Sequence, residues 1–369
     1  MNKRTILSFC AVFLSFLAGS AEAAYELNLR APVTEIARQI YDLHMLILYV
    51  CAVIFVVVFG VMFYSLYKHR KSVGHKAVQF HEHHLLEIVW TIIPALILAG
   101  MAIPATKTIL AMKDTREADM TVKVTGHQWK WEYEYLGKDV RFISNLTTPQ
   151  DQITGNAPKG ENYLFEVDNP MVVPVGKKVR VLLTANDVIH AWSVPSFGVK
   201  QDAIPGFIKE TWFRADVPGT YRGQCSELCG KNHGFMPIVV EAMAEDKYNA
   251  WIEAKKAAAA DAAKSGEKEW TKEDLIANGK TVYEKNCAAC HQANGAGLPP
   301  AFPALTGGKI ATGPIADHLH IVLNGKNVMP HWKELLNDVE IASVVTYERN
   351  GLGNSVGDVL QPAQVKAAR

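Results

Sequence analysis

Two long uncharged runs near the N-terminus constrain the fold more than any other feature of the sequence. Met45–Leu66 is 22 residues long and Ile88–Thr106 is 19 residues long. With a rise of about 1.5 Å per residue, helices of this length match the ~30 Å hydrocarbon core of a bilayer. We therefore predict a transmembrane hairpin within residues 24–111, with helices over about residues 43–67 and 87–110.

The charges between the two runs predict which side of the membrane the rest of the chain occupies. The connecting segment carries Lys68, Arg70, Lys71 and Lys76. Loops rich in lysine and arginine are retained on the cytoplasmic side of a membrane. Residues 112–369 are therefore expected on the outer side.

The first residues have the pattern of a secretory signal peptide. Lys3 and Arg4 precede an apolar stretch, and "AEA" at residues 21–23 offers small side chains for cleavage. We expect a signal peptide over residues 1–23, although a short additional membrane helix would show a similar pattern. Either interpretation directs the following chain out of the cytoplasm.

The composition changes twice after the hairpin. Residues 112–246 contain β-rich segments such as "MTVKVTGHQWKWEYEY" and "KKVRVLLTAND", separated by Pro and Gly, which is typical of a sandwich or barrel. Residues 247–270 are rich in Ala, Lys and Glu and are expected to form a partly helical linker. Residues 271–369 regain a helical period, which predicts an all-α domain. The net charge of +1 gives no reason to expect nucleic acid as a partner.

One short segment of the β-rich region concentrates side chains that bind soft metals. The segment "GQCSELCGKNHGFMPIVV" holds Cys225, Cys229, His233 and Met236. Thiolates select copper, zinc or iron–sulfur clusters. His190 follows the apolar run "VRVLL", so a strand end could bring it to the same loop. Because two thiolates can each bridge two metal ions, this set suits a dinuclear copper centre.

Two other interpretations of the cysteine pair are open. Cys225 and Cys229 could form a disulfide bond in a domain outside the cytoplasm, or they could hold a structural zinc ion. Met236 argues against zinc, because a thioether is a poor zinc ligand.

Three sequence blocks in this region resemble the signature blocks of cytochrome c oxidase subunit II. They are "GHQWKWEY", "HAWSVPSFGVKQDAIPG" and "YRGQCSELCGKNHGFMPIVVE", and the hairpin with "LEIVWTIIPALIL" resembles that family too. The resemblance covers about residues 30–255. It implies an all-β, cupredoxin-like Greek-key domain over residues 112–246 that carries two copper ions in a dinuclear copper A centre.

The resemblance also assigns the metal ligands by position. It implies that the copper ions are held by the side chains of His190, Cys225, Cys229, His233 and Met236 and by the backbone carbonyl of Glu227. The Glu227 side chain would also reach a magnesium or manganese ion shared with subunit I.

A second redox motif lies in the C-terminal region. "CAACH", residues 287–291, has the C-x-x-C-H pattern of covalent haem attachment. A zinc site or a thioredoxin-like motif could show the same cysteine spacing. In "LIANGKTVYEKNCAACH", Gly279 and Tyr283 share one helix face with the first cysteine, and a later helix could cross this face at Tyr347.

Met329 in "NGKNVMPHW" is the expected distal ligand of the haem iron, and His331 is its rival. Residues 271–354 resemble class I cytochrome c. This resemblance implies one covalent haem c held by Cys287, Cys290, His291 and Met329. Ligation by histidine and methionine raises the potential of a haem, as an electron acceptor of this kind needs.

Together the two resemblances imply an electron-input subunit of a haem–copper oxidase in the cytoplasmic (inner) membrane of a bacterium. Electrons would pass from haem c through the copper pair to the oxygen-reducing site of subunit I, which this chain has no helices to form. The expected partners are subunits I and III and an external donor such as a soluble or membrane-bound cytochrome c. The multi-pass anchor would leave both redox domains on the periplasmic side.

Several residues have both a functional and a structural interpretation. The resemblance makes Trp129 the position at which electrons reach the copper domain, although it could simply be a sheet aromatic. The family usually has an aromatic residue at the next position, where this chain has Lys130. The resemblance makes Glu87 a proton-uptake residue, whereas an acid in the first turn of a helix is also favoured by the helix dipole. Asp187 and Asp202 match acidic positions of the family's docking face.

Other functions share part of this pattern. Nitrous oxide reductase has the copper motif but lacks the membrane hairpin and the fused haem. A membrane-tethered copper-binding protein or chaperone has no need of a covalent haem. A quinol oxidase subunit II keeps the fold but loses the copper ligands, all of which are present here.

Overall fold

Two long apolar helices come first in the computed structural model, which describes residues 28–76 and 81–369. The expected signal peptide lies outside the described residues. Helix α1 spans Glu35–Lys68 and helix α2 spans His84–Lys113. Both are long and apolar enough to cross a bilayer, as the uncharged runs predict. A short 3-10 helix, Lys71–Val73, lies in their connection.

The first membrane helix begins earlier than the apolar run of the sequence. Thr34 caps it, because its hydroxyl accepts a hydrogen bond from the backbone N–H of Ala37 (3.0 Å). The same hydroxyl donates to the carbonyl of Phe197 in the β domain (2.8 Å). The first turn of α1 is therefore held against the β domain, and the apolar run occupies the later turns.

The β-rich region folds into a sandwich of two five-stranded sheets. In chain order its elements are β1 Met120–His127, β2 Lys130–Tyr135, β3 Val140–Ser144, the short helix α3 Gln150–Thr154, β4 Met171–Pro174, β5 Val179–Ala185, β6 His190–Val194, β7 Val199–Ala203, β8 Lys209–Phe213, β9 Gly219–Cys225 and β10 Pro237–Met243. One sheet has the order β3–β2–β1–β5–β8, and the other has the order β4–β10–β9–β6–β7. The pairs β1–β5 and β4–β10 are parallel, and the other pairs are antiparallel.

Alternation of apolar residues along the strands builds the core of the sandwich. In β5, Val179, Val181 and Leu183 are buried while the residues between them are partly exposed, as expected for a strand with one face on a core. Trp131 and Trp192, from opposite sheets, fill the centre. The predicted cupredoxin-like domain is confirmed.

The segment expected to be a linker is helical over most of its length and packs on the sandwich through its first turns. Helix α4 spans Glu245–Ser265, and its Tyr248 and Ile252 lie against the core of the sandwich, each 4% exposed. Trp251 packs on Tyr135, with ring centroids 5.3 Å apart. The three apolar positions follow helical spacing, so they form one face that covers the sandwich.

The C-terminal region is helical, as predicted. Its helices are α5 Lys272–Asn286, α6 Ala288–His291, α7 Ile315–Asn324, α8 Asp338–Asn350 and α9 Pro362–Ala368. Helices α5 and α8 cross at Gly279, where a Cβ atom would lie 2.0 Å from the carbonyl oxygen of Ser343. Tyr283 and Tyr347 meet beside this crossing, with ring centroids 5.5 Å apart. The crossing fixes the end of α5, where the C-x-x-C-H motif begins.

The helical region packs directly on the sandwich. Ile143 of β3 belongs to the apolar core of the helical region. In return, Ala289, Cys290 and Phe302 pack against the apolar core of the sandwich. The predicted haem-attachment motif therefore lies at the boundary between the two domains.

Candidate functional site

The six residues predicted to hold copper lie together at one end of the sandwich. His190 opens β6 and Cys225 closes β9, and these two strands are paired. The loop that joins β9 to β10 contains the other four, Glu227, Cys229, His233 and Met236. Strand pairing thus brings a histidine that is 35 positions away in sequence to the sulfur-rich loop.

The donor atoms have the spacing of ligands that share a metal. Cys225 Sγ lies 3.8 Å from Cys229 Sγ and 4.0 Å from His190 Nδ1. Cys229 Sγ lies 3.5 Å from both His233 Nδ1 and Met236 Sδ. Two thiolates bound at about 2.3 Å to one tetrahedral ion would be about 3.7 Å apart. The arrangement therefore fits a metal centre without rearrangement of the backbone.

The disulfide alternative does not describe this arrangement. A disulfide bond holds its sulfur atoms about 2.05 Å apart, whereas Cys225 and Cys229 are free thiols 3.8 Å apart. Cys225 Sγ also approaches the carbonyl oxygen of Glu227 at 3.3 Å. Met236 is 2% exposed beside Cys229, and a buried thioether in the set favours copper over zinc.

A buried carboxylate orients His190. The Nε2 atom of His190 lies 2.8 Å from Asp187 Oδ1, which leaves Nδ1 facing Cys225. A carboxylate behind a metal-binding histidine commonly fixes which ring nitrogen carries the proton. The Asp187 side chain is 2% exposed. It therefore supports the site from inside, and its role as a docking-face acid stays a prediction.

The two thiols have opposite pKa shifts. The hydrogen bond with Cys229 lowers the pKa of Cys225 to about 3, and the hydrogen bond with His190 adds to this effect, while burial opposes it. The pKa of Cys229 is raised, because it holds the proton shared with Cys225 and is buried. One thiol is therefore ionised at neutral pH, and a bound metal would displace the proton from the other.

Two glycines, which have no side chain, provide room for the rings beside the donor cluster. A Cβ atom at Gly126 would lie 2.8 Å from Cδ2 of His190. Gly230 follows Cys229 with a φ of +117°, and a Cβ there would lie 3.0 Å from the Trp129 ring. A side chain at either position would displace a ring beside the donor cluster.

The turn between β1 and β2 holds the sulfur-rich loop. Gln128 Nε2 and Trp129 Nε1 both donate to the backbone carbonyl of Cys229, at 2.8 Å and 3.1 Å. The backbone N–H of Gln128 donates to Asp187 (2.7 Å), the same carboxylate that orients His190. Trp129, predicted as the point where electrons arrive, is thus hydrogen-bonded to a candidate copper ligand.

The C-x-x-C-H motif borders a cavity of about 500 Å3. The four residues predicted to bind haem all line it: Cys287, Cys290, His291 and Met329. Burial raises the pKa of both cysteines, so they remain protonated thiols at neutral pH.

The two axial-ligand candidates can be distinguished by position. His291 Nδ1 lies 2.9 Å from the carbonyl oxygen of Pro303, to which it can donate, and this leaves Nε2 for an iron atom. Met329 lines the same cavity. His331 borders a different, polar cavity of about 290 Å3 with His127 and Glu132. The geometry therefore favours Met329 over His331 as the distal ligand.

A buried polar pair at the cavity wall also fits a haem. His318 Nε2 lies 2.8 Å from Glu348 Oε2, and both residues line the cavity. The Nδ1 atom of His318 is buried and has no hydrogen-bond partner among the described residues. Such an atom needs a polar partner, and a haem carboxylate is one. Sequence reasoning missed this pair, because nothing in the spacing of the two residues predicts their contact.

The predicted proton-uptake residue lies far along the chain from both redox sites. Glu87 is in the first turn of α2, where Oε1 accepts a hydrogen bond from the backbone N–H of His83 (3.2 Å). This contact satisfies one of the free N–H groups at the helix start. This hydrogen bond therefore supports the interpretation that Glu87 stabilises the start of the helix.

A two-helix anchor, a cupredoxin-like sandwich with a sulfur-rich donor cluster and a cytochrome-like helical domain define a class, the membrane-anchored redox subunits of respiratory complexes. Three family models match the chain. Residues 22–108 match the transmembrane domain of cytochrome c oxidase subunit II, and residues 120–243 match its periplasmic domain. Residues 274–347 match subunit III of the cbb3-type cytochrome c oxidase.

Individual relatives agree with these matches. The cytochrome c oxidase subunit 2 of Cereibacter sphaeroides is 36% identical over 280 residues, which cover 69% of this chain and 92% of that protein. The probable cytochrome c oxidase subunit 2 of Rickettsia bellii is 36% identical over 250 residues, which cover 68% of this chain and 91% of that protein. The chain belongs to the cytochrome c oxidase subunit II family.

Among solved structures, the chain is similar to the periplasmic domain of subunit II of cytochrome oxidase from Bradyrhizobium japonicum. The identity is 46%, the match covers 39% of this chain and 97% of that chain, and the TM-score is 0.35. The protein is thus a membrane-anchored subunit II whose family domains lie in the membrane and the periplasm, followed by a cytochrome c-type domain.

Proposed function

We propose that this subunit is the electron input of a haem–copper oxidase, and that it passes electrons from a covalent haem c through a dinuclear copper A centre to subunit I. The observation that carries the proposal is the donor cluster. His190, Cys225 and Cys229 are buried, and their ligand atoms lie within 4.8 Å of one another. His233, Met236 and the Glu227 carbonyl surround the same two sulfur atoms.

The copper ligands on this proposal are His190, Cys225, Glu227, Cys229, His233 and Met236. Two bound copper ions would supply one-electron transfer, with no substrate bond made or broken on this chain. The protein supplies a rigid frame for them. Asp187 holds the ring of His190, and the Gln128–Trp129 turn holds the carbonyl of Cys229. Because these hydrogen bonds hold the donor groups in place, the ligands would rearrange little when the charge of the copper ions changes.

The cytochrome domain would hold one haem c. Cys287 and Cys290 would attach it, and His291 and Met329 would be its axial ligands, a pair that raises the haem potential. The chain's own residues prepare this site, since the Pro303 carbonyl orients His291 and the cavity leaves room beside its ring.

Trp129 is proposed as the residue at which electrons reach the copper domain. Its neighbours Gln128 and Lys130 both line the haem cavity. On its other side, the Trp129 indole bonds to the Cys229 carbonyl. One short turn therefore borders both redox sites, which supports transfer within the chain.

The partners follow from this role. The subunit would deliver electrons to subunit I, with subunit III in the same complex, and an external cytochrome c would be the donor to haem c. A magnesium or manganese ion bound by the Glu227 side chain at the boundary with subunit I belongs to the same proposal.

Proton uptake at Glu87 is a separate part of the proposal. Glu87→Gln keeps the shape of the side chain and its hydrogen bond from His83 but removes the charge. Oxidase turnover should fall while haem c and copper are still reduced rapidly. Turnover equal to that of the unmodified oxidase would leave only the helix-terminus role.

The alternative functions fit fewer observations. A copper chaperone would not need a haem cavity behind a C-x-x-C-H motif. Nitrous oxide reductase lacks the two membrane helices that precede the sandwich here. A quinol oxidase subunit would lack the donor cluster.

The decisive experiment replaces one bridging thiol in the intact oxidase. Cys225→Ser should abolish the electronic spectrum of the dinuclear centre and stop transfer from haem c, while haem c itself stays reducible. Met171→Leu, a change in the buried core of the sandwich, controls for disturbance of the fold. Metal analysis that returned one copper ion, or zinc, per unmodified chain would overturn the dinuclear assignment.

A further inference from the structure

One lysine of the copper domain lies in the wall of the haem cavity. Lys130 opens β2 directly after Trp129 and is 4% exposed. Its Nζ donates a hydrogen bond to the backbone carbonyl of Asn286 (3.1 Å) and lies 4.6 Å from the centroid of the Trp332 ring. Asn286 directly precedes Cys287, so the amine of one domain touches the haem-attachment segment of the other.

The acceptor of this hydrogen bond suits a cation. Asn286 is the last residue of α5, and its carbonyl is one of those left without a partner at a helix C-terminus. Such carbonyls carry the negative end of the helix dipole. The Trp332 ring adds a cation–π contact on another side of the amine.

The Lys130 amine is still ionisable in this position. Burial lowers its pKa to about 8, against the opposing influence of Cys287, Cys290, Asp168 and Asp187. The two cysteines would carry no charge as thioethers, so a test of the charged amine belongs at mildly acidic pH.

The other charged groups at the cavity differ from Lys130. Lys309 and Lys326 also line it, but they are exposed, so water and salt screen them. His318 and Glu348 form a hydrogen-bonded pair. Of the described lysines that line the cavity, only Lys130 is buried. Its amine contacts a backbone carbonyl and an aromatic ring, and no described carboxylate forms an ion pair with it.

We propose that Lys130 makes docking of the cytochrome domain depend on the redox state of its haem. The inference rests on the proposed function, because it requires haem c at Cys287 and Cys290. An oxidised haem carries one more positive charge than a reduced haem. A cation fixed in the cavity wall therefore repels the oxidised form and stabilises the reduced form.

Linkage converts this effect into a docking preference. If contact with the copper domain favours reduction of haem c by some factor, reduction favours the contact by the same factor. A cavity of 500 Å3 is about 10 Å across. Unit charges that far apart, at an effective dielectric constant of about 20, change an equilibrium on the order of tenfold.

This docking preference would set the sequence of steps in electron transfer. A reduced cytochrome domain stays against the turn that contains Trp129, where one electron can leave the haem for the copper pair. The oxidised domain is held less tightly, which exposes its haem edge to the external donor, and one electron from that donor restores the docked form. Residues 266–271, between α4 and α5, are the tether on which the domain would move.

The test measures the midpoint potential of haem c in the intact oxidase at about pH 6, well below the ordinary pKa of lysine. Lys130→Met removes the charge and keeps the length of the side chain. Lys138→Met removes a charge from an exposed turn of the same domain and is the matched control. We expect Lys130→Met to shift the haem redox equilibrium toward the oxidised form by about tenfold, while Lys138→Met and the charge-preserving Lys130→Arg leave it near the original value.

A second measurement compares the two redox states of the same protein. Amide exchange of residues 128–131 and 286–291 should be slower in the reduced than in the oxidised protein, and Lys130→Met should abolish this difference. Equal exchange in both redox states, or equal haem potentials in Lys130→Met and Lys138→Met, would refute the inference. Haem and copper contents of the same samples test the proposed function independently.

Discussion

At the scale of single residues, the proposed copper ligands are recognisable from the sequence, but the residues that hold them are not. The spacing of Cys225, Cys229, His233 and Met236 predicts a soft-metal site because these residues lie in one loop. Gln128 reaches Asp187 and the Cys229 carbonyl only after distant segments come together, and Asp187 reaches His190 only through the local turn before β6. Their side chains have many ordinary roles, so no pattern identifies them in advance.

Asp187→Asn should weaken copper binding without unfolding the domain. The amide keeps the shape of the carboxylate but loses the charge that fixes the proton on His190. Loss of such a supporting contact typically lowers metal affinity by about 10- to 100-fold. Competition with a copper chelator would measure the change. Asp202→Asn, on β7, is the matched control, and equal copper affinity in the two variants would contradict the role of Asp187.

The potential of haem c should depend on pH through Lys130. The pKa of this amine is lowered to about 8 by burial. Below that pH the amine is charged and favours the reduced haem, so the potential is high. Because thioether cysteines do not support the charged amine, the charge should be lost as pH rises from about 6 toward 8, and the potential should fall. Redox titrations of the unmodified oxidase over this range should show the fall, and those of Lys130→Met should not.

At the scale of secondary-structure elements, α4 shows where composition misleads. Its alanine-rich middle predicts a helix or a linker, and the structure has the helix. The three large residues at its start, Tyr248, Trp251 and Ile252, decide that it packs on the sandwich. The sequence contains this apolar face, but the surface that it covers is assembled from strands far away in the chain.

Ile252→Ala should destabilise the copper domain. The side chain is buried against the sandwich, and loss of a buried isoleucine typically costs about 2–5 kcal/mol. Chemical denaturation monitored by tryptophan fluorescence would give the change in the free energy of unfolding. Glu253→Ala, one position along on the exposed face, should change it by less than about 0.5 kcal/mol. Equal effects of the two changes would mean that α4 is a free linker after all.

At the scale of the whole molecule, the sequence predicts the domains but not their contact. The membrane hairpin, the sandwich and the helical domain each have a local signature. The interface between the sandwich and the helical domain has no such signature. Lys130 and Ile143 lie on strands, and nothing in the neighbouring sequence predicts that the helical domain covers them. Such a contact depends on matching surfaces, which no local pattern records.

Transfer from haem c to copper should be first order in the intact protein. The two sites share one chain and a packed interface, so dilution leaves their encounter unchanged. Flash reduction of haem c at several protein concentrations would measure the rate. Cleavage within residues 266–271 should make the step depend on concentration once the halves separate. A rate in the intact protein that rises in proportion to concentration would show transfer between molecules.

The close fit of His190 against Gly126 has a consequence for genetics. The ring of His190 lies so close to the backbone of Gly126 that a Cβ atom there would be 2.8 Å from the imidazole. A strain with Gly126→Ala would keep every codon for a proposed copper ligand, and we expect it to lose electron transfer through the proposed copper site. A survey of natural or clinical variants that inspects only the ligand positions would therefore classify such an allele as intact.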